Sequence, residues 1–536
     1  MAAPLSVVKS ILTVGGWTMV SRVLGFVRDL LIANFLGAGM VADAFFVAFK
    51  LPNLFRSLFA EGAFNVAFVP LFSERLETAG REPARLFAEE AFSALFYIVL
   101  LFTAVAETAM PLFIMIQAPG FIEEPEKFDA AVAMSRITFP YLLLVSLNSL
   151  QSGVLNSMGR FAAAALTPVL LNMTMIAALF AFTPLCGGNY GYALSWGVTA
   201  AGVLQLVWLV WHTRRAGVPL GLRSPINVLK SKSAELKLLM KRILPGVFGS
   251  GIYQINMFLD TLFVSFLTTG AVSWLYYANR LYQLPVGIIG AAIGTALLPI
   301  LTRQLKSGET EQARRSLNRA LEFALLASVP SMAGLMALSL PIISVLFERG
   351  AFDAAASEKT AVALCAYAAG LPAYILTKTL APVFYARGDT VTPVRIAAWA
   401  LGLYVGLCAA FLPAFGYVGI ALATGIVAWV NVAQYVLRIK KRCLHQTDAL
   451  FWRRARAIVL SSVLMTAVVR ELSRRAVLLF PDWIHGGALV KFGTLTALIA
   501  AGGVAFSICV LISGGVDLKA VKSRLSRHEE KKGERL

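Results

Sequence analysis

Between Ser21 and Glu61 the chain sets Arg22, Arg28, Asp29, Asp43, Lys50, Arg56 and Glu61 into sequence otherwise greasy enough to cross a bilayer. Charge at membrane depth costs roughly 2.5–3.5 kcal/mol per residue on insertion scales, so it usually faces a wet cavity and has a task there. At about 100° per residue, Arg28, Ser21, Gly25, Thr18, Asp29 and Arg22 share an arc of about 120°. Val23, Leu24, Phe26, Val27, Leu30 and Leu31 fill the rest, which gives this helix a lipid or protein face and a narrow cationic one. The other reading is that the charges sit at a membrane end and snorkel into water. Snorkelling suits Arg56 and Glu61. Arg22 and Arg28, flanked by apolar sequence on both sides, suit a water-lined cavity better.

A second polar spot lies further along. Asp260 stands in an apolar stretch with Gln254, Asn256 and Thr261, and Ser273, Arg280 and Gln283 follow at i, i+7 and i+10 on one helical face. Arg280 is thereby expected to point toward the cavity that Arg22 and Arg28 line. Three converging guanidiniums suit a multivalent oxyanion, because arginine offers planar, permanently charged, bidentate donors matched to phosphate. For Asp260 two readings stand: pairing with its local amide and hydroxyl neighbours, or a cation site.

The elements that position these groups follow from composition. Of 536 residues, 58% are hydrophobic and 14% charged, against about 25% charged in a soluble domain, so an all-α polytopic membrane protein is expected. No small-x-small cleavage site follows the first apolar run, which excludes a cleavable signal peptide on this reading. Five scattered cysteines and four scattered histidines form neither a disulfide framework nor a metal-ligand spacing,. P-loop, nucleophile-elbow, zinc and dinucleotide signatures are missing, so ATP hydrolysis is not expected. The net charge of +19 does not signal nucleic acid. Lys and Arg concentrate in 75–85, 214–242, 303–319, 438–456 and 519–535, whereas 37–42, 184–190, 268–272 and 412–416 carry none. That is the positive-inside pattern; it predicts cytoplasmic termini and basic loops, with anionic phospholipid contact as a by-product.

At about 20 apolar residues per crossing, fourteen helices are expected, at 10–36, 42–72, 88–117, 130–157, 162–184, 190–213, 239–268, 272–303, 318–347, 358–386, 393–413, 417–439, 453–473 and 488–513. The chain also repeats itself. Ala67-Phe-Val-Pro70-Leu-Phe returns 229 residues later as Ala296-Leu-Leu-Pro299-Ile-Leu, and Phe35-Leu-Gly-Ala-Gly39 returns 231 later as Phe266-Leu-Thr-Thr-Gly270. A common offset of six helices predicts two halves of like orientation, with a substrate site between them near mid-membrane. The expected organisation is an N-lobe (1–216), a cytoplasmic linker (217–238), a C-lobe (239–442), two further helices (443–513) and a basic tail (514–536). Residues 226–244 alternate Leu/Ile/Val with Lys and read as an amphipathic helix on the inner leaflet or as a solvated connector.

The run Ser21-Arg-Val-Leu-Gly-Phe-Val-Arg-Asp29, with Gly37-Ala-Gly39, Asp43-Ala-Phe-Phe-Val-Ala-Phe-Lys-Leu-Pro-Asn-Leu-Phe-Arg56 and Phe59-Ala-Glu-Gly-Ala-Phe64, resembles the signature of the MurJ (MviN) family. So do Val272-Ser-Trp-Leu-Tyr-Tyr-Ala-Asn-Arg280 and Ala381-Pro-Val-Phe-Tyr385. These are bacterial lipid II flippases of the MOP exporter superfamily. The resemblance implies two six-helix lobes in a V around a central cavity, two extra C-terminal helices forming a groove for the undecaprenyl tail, and residence in the bacterial inner membrane. It implies lipid II as cargo, moved to the outer leaflet for peptidoglycan synthesis, with cell-wall synthesis machinery as a partner. Critical arginines of the family map onto Arg22, Arg28, Arg56 and Arg280, and other sensitive positions onto Ser21, Asp29, Asp43, Asn53, Glu61 and Ser273. Asp260 falls where some members place an acidic residue of a sodium site; sodium or the membrane potential is the expected driving force. Asn279 stands where many relatives place Asp and Gln283 where some have Glu, which removes negative charge beside Arg280. Rival readings are another MOP-type exporter, namely a polysaccharide-lipid flippase or a multidrug antiporter, and a membrane-embedded glycosyltransferase. The antiporter needs cavity acids and the enzyme needs paired carboxylates, and the chain offers neither set.

Overall fold

In the computed structural model, residues 4–56, 63–230, 234–441, 448–479, 483–484 and 486–515 are described. They are helical almost throughout, with no strand beyond an isolated bridge between Arg349 and Phe352. Nine helical stretches among them are long and apolar enough to cross a membrane. The chain divides into two compact units, 1–273 with 349–353, and 274–348 with 354–536. The expected linker at 217–238 is therefore not where the packing divides, because the seventh expected span joins the first unit.

The first unit contains α1 (Pro4–Leu36), α2 (Met40–Arg56), α3 (Ala63–Thr78), α4 (Arg81–Thr108), α5 (Met110–Gln117), α6 (Pro125–Thr138), α7 (Tyr141–Ser157), α8 (Phe161–Ala181), α9 (Tyr190–Arg215), α10 (Pro225–Lys230) and α11 (Ala234–Ser265). Several boundaries are set by local chemistry. Pro stands in the first turn of α5 and α6, where its missing N–H costs no hydrogen bond. The Asn189 side chain caps α9 by accepting from the Gly191 and Tyr192 amides,. Gly37 ends α1 with φ +66°, a conformation that only glycine adopts at no steric cost. Rings of Phe55, Phe102, Phe113 and Phe139 pack edge-on or tilted, and Phe64, Phe68, Phe72 and Phe87 stack. Between membrane helices such van der Waals fit, rather than water exclusion, drives association. The basic connector after α9 is strapped to α4: Arg223 donates from Nη1 to Glu90 at 2.7 Å and from its amide to Ser93 Oγ at 2.9 Å. The Tyr97 hydroxyl donates to the Arg223 carbonyl at 2.9 Å. Of the stretch 226–244, read as an amphipathic helix or a connector, 226–230 lie in α10 and 234–244 form the start of α11.

The second unit holds most of α12 (Ala271–Lys306), then α13 (Thr310–Ala337), α14 (Ser339–Phe347), α15 (Ala354–Ala368), α16 (Leu371–Tyr385), α17 (Val391–Lys441), α18 (Ala449–Leu479) and α19 (Ala488–Ile512). At 51 residues, α17 would be about 76 Å long if straight, far beyond a hydrocarbon core of about 30 Å. It is not straight. Gly416 breaks it (φ 53°, ψ −133°), and a Cβ on Gly419 would lie 2.8 Å from the Phe411 Cβ. The chain therefore folds back there, which divides α17 into the two expected spans. Small residues again permit close approach: a Cβ on Gly370 would lie 2.6 Å from the Gly425 Cα,. The two C-terminal helices pack on α13 through Val329, Ile458 and Val510, and an Arg454–Glu322 pair at 2.7 Å ties α18 to α13.

Candidate functional site

The polar arc of α1 is real, and most of it faces α8. Arg28 is 4% exposed and Asp29 1%. Arg28 donates to Asp29 Oδ1 from Nε at 3.1 Å and Nη2 at 2.7 Å, and from Nη1 to Asn172 Oδ1 at 3.0 Å. The other end of the Asn172 amide donates to the Ser21 carbonyl at 3.0 Å and approaches the Ser21 Oγ at 3.4 Å. Gly25, one turn from Ser21, makes room: a Cβ there would lie 3.4 Å from Asn172 Nδ2. The expectation that Arg28 lines a wet cavity is thus corrected for this conformation. Its guanidinium is sealed and neutralised, as a buried charge must be to avoid a large desolvation cost. Arg22, at the edge of the same arc, is exposed.

Asp43 is fully buried and closes the start of α12. Its Oδ2 accepts from the Gly270 amide at 2.7 Å, and its Oδ1 from the Ser273 amide at 2.9 Å and hydroxyl at 2.6 Å. A carboxylate there satisfies orphan N–H groups and opposes the positive helix end. Lys127, 1% exposed, stands 3.6 Å from Asp43 Oδ2. It donates to Glu124 at 3.3 Å and Thr269 at 3.1 Å, and lies 4.3 Å from the Phe121 ring centroid. The Thr269 hydroxyl also donates to Glu124 at 2.6 Å, which holds that carboxyl below the usual glutamate range. Asp43 and Ser273, singled out separately by resemblance, are therefore partners in one helix cap.

Asn53 and Arg56 end α2 together: Arg56 Nε donates to Asn53 Oδ1 at 3.2 Å, and Asn53 donates to the Phe49 carbonyl at 2.8 Å. Glu61 lies outside the described residues. Asp260 is half-buried. The Lys50 ammonium donates to the adjacent Thr261 hydroxyl at 3.3 Å. Among the described residues, no group of three or more His, Cys, Asp or Glu side chains could hold a metal.

On α12, Arg280 is half-buried. It donates from Nη2 to the Tyr276 hydroxyl at 3.0 Å, with its guanidinium carbon 5.1 Å from that ring's centroid, a cation–π range. The two amides beside it bond to each other, Gln283 Nε2 donating to Asn279 Oδ1 at 3.1 Å. The two positions where the resemblance expects acids are thus neutral amides bonded to each other and bring no negative charge to Arg280. Three polar groups escaped the sequence reasoning. Asn172 had a signal, a lone amide in the apolar run Val169–Phe180. Lys127 had only its spacing from Glu124. Lys378, exposed on α16 opposite Gly290, had the signal of a lone charge in an apolar segment.

A family model described as lipid II flippase MurJ matches residues 32–482. The chain belongs to this family. The probable lipid II flippase MurJ of Rhizobium tropici is 41% identical over 531 residues, covering 98% of this chain and 97% of the relative. A solved structure of lipid II flippase MurJ in an inward closed conformation superposes with TM-score 0.76 at 26% identity, covering 93% of this chain and 98% of that one. An inward-facing multidrug resistance MATE family transporter of the MOP superfamily shares the fold, with TM-score 0.64 at 15% identity over 82% of this chain and all of that one. Membership of the MurJ family, a transporter family, accounts for arginines and amides set into apolar helices.

Proposed function

We propose that the chain moves lipid II from the inner to the outer leaflet of the bacterial cytoplasmic membrane by alternating access. Near-full-length similarity to lipid II flippases carries this reading, and the chemistry of the arginines agrees with it. Lipid II presents a pyrophosphate, and no anion of that charge crosses hydrocarbon unaided. Arg22 and Arg280 are the arginines we assign to its phosphates. Arg28 fixes the fold of the α1–α8 face and joins the cargo only by exchanging Asp29 for phosphate. Basic segments 75–85, 214–242, 303–319 and 438–456, together with both termini, face the cytoplasm under the charge rule. Outward movement of an anion runs with an interior-negative potential, worth about 2.3 kcal/mol per charge per 100 mV. The potential therefore helps to drive the cycle in this reading. Cell-wall synthases consume the delivered product.

The test is a bacterium depleted of its own flippases and supported by this chain alone, with outer-leaflet lipid II read by an external probe. Arg22→Ala and Arg280→Ala are expected to lower delivery at least tenfold at normal protein level. Normal delivery by both variants would refute the assignment of the arginines, and no delivery by the unaltered chain would refute the function.

A further inference from the structure

One charge of the second unit has no part in the reading above. Lys378 stands in the middle of α16, in the run Tyr374-Ile-Leu-Thr-Lys-Thr-Leu-Ala-Pro382. Of residues 371–385 only Lys378 and Tyr385 are exposed, and they lie two turns apart on one side of the helix,. The half-buried Tyr374 and Ala381 fall in line with them. Elsewhere α16 packs inward, with Ile375, Thr379, Leu380 and Val383 buried. A charge at this depth turned toward acyl chains would be costly, so the narrow side that carries Lys378 faces water.

The floor under this lysine is α12. A Cβ on Gly290 would lie 2.8 Å from Lys378 Cδ and 3.6 Å from its Nζ. Glycine there lets the lysine stem lie across the helix and sets the ammonium at that level. At about 100° per residue, Gly290 shares an arc of about 80° with Gln283, Arg280 and Tyr276,. Lys378 therefore extends the polar side of α12 that carries Arg280. Gly290 follows Arg280 by ten residues, about 15 Å of rise. The Arg280 guanidinium leans the other way, toward the Tyr276 hydroxyl at 3.0 Å. One side of the second unit thus presents two cations too far apart to share a pair of linked phosphates.

The two cations also differ in kind. A guanidinium fork matches phosphate oxygens in pairs, whereas an ammonium is a compact point charge on a flexible stem, suited to a single carboxylate. We propose that Lys378 is a second anion subsite of the second unit, taking a carboxylate of the cargo's peptide while Arg280 takes the diphosphate. The inference rests on the lipid II cargo proposed above and adds what the chain reads in it besides phosphate. A head that carries its peptide is thereby told from a bare polyprenyl diphosphate.

The experiment uses the purified full chain and native mass spectrometry with three probes: lipid II, lipid II with its peptide carboxylates amidated, and a polyprenyl diphosphate without sugar or peptide. Lys378→Gln is expected to weaken retention of lipid II at least fivefold and to leave the other two probes unchanged, which also shows that the variant is folded. Lys378→Arg keeps the charge and is expected to retain most of the lipid II. Gly290→Ala pushes the lysine stem aside without removing its charge, and is expected to fall between the two at unchanged thermal stability. Full retention of lipid II by Lys378→Gln overturns the proposal. So does an equal loss for all three probes, which would mark an effect on the fold or on phosphate binding. If Arg280→Ala loses lipid II while Lys378→Gln keeps it, the subsite fails and the flippase reading stands. No retention of lipid II by the unaltered chain overturns both.

Discussion

Arg28 and Arg280 are the same side chain in two different trades. Arg28 sits in a sealed pocket of the first unit, bonded to a carboxylate and an amide. Arg280, in the second unit, is half-buried and rests on a phenol and its ring beside a self-paired Asn279–Gln283 couple. Both are expensive at membrane depth, and they meet the cost in different ways. A fully paired guanidinium acts as a strut that fixes one helix against another. A half-buried one resting on a phenol and its ring is held less completely than one sealed between a carboxylate and an amide. Sensitivity to mutation alone would not separate the two roles, whereas stability and transport measured together would.

The largest effect is expected at Asp29. Asp29→Ala strands the buried guanidinium, and losing one partner of a buried pair costs about 3–5 kcal/mol. Thermal unfolding in detergent should report a drop of many degrees, and replacing both residues, Arg28→Met with Asp29→Leu, should recover most of it. If Asp29→Ala unfolds like the unaltered chain, Arg28 is not a strut. Next is Asn172→Leu, which leaves Arg28 Nη1 without its acceptor, for about 1–3 kcal/mol. Arg280→Ala, whose guanidinium is only half-buried, should cost less stability than Asp29→Ala while lowering transport at least tenfold. A comparable loss of stability at both arginines would erase the distinction drawn here.

The smallest effect concerns Glu124, exposed and held below the ordinary glutamate range by the Thr269 hydroxyl. Its folded value is depressed, so its contribution is complete above the unfolded value and fades as pH falls through the folded one. Unfolding followed across acidic pH should show a slightly flatter dependence in Glu124→Gln.

Much of this was legible in the sequence. Apolar runs locate the helices, and the break at Gly416 falls within the neutral stretch 412–416 between two expected spans. The wheel around Ser21 correctly gathers Ser21, Gly25, Arg28 and Asp29 on one side, and the family motifs name Asp43 and Ser273. What a wheel does not carry is the identity of the neighbour. The arc on α1 reads equally as a cavity wall or as a helix contact until Asn172 is seen 144 residues away from Arg28. The same holds for Lys50, whose ammonium bonds the Thr261 hydroxyl 211 residues away. Long-range polar pairing is set by which helices touch, and one sequence does not specify that.

Binding of lipid II to the purified chain, followed by native mass spectrometry, addresses the central claim most directly. The account predicts that the unaltered chain retains lipid II, that Arg280→Ala weakens retention at least tenfold with the fold intact, and that Tyr276→Phe has an intermediate effect. Equal retention by the unaltered chain and by Arg280→Ala, at equal thermal stability, would contradict it.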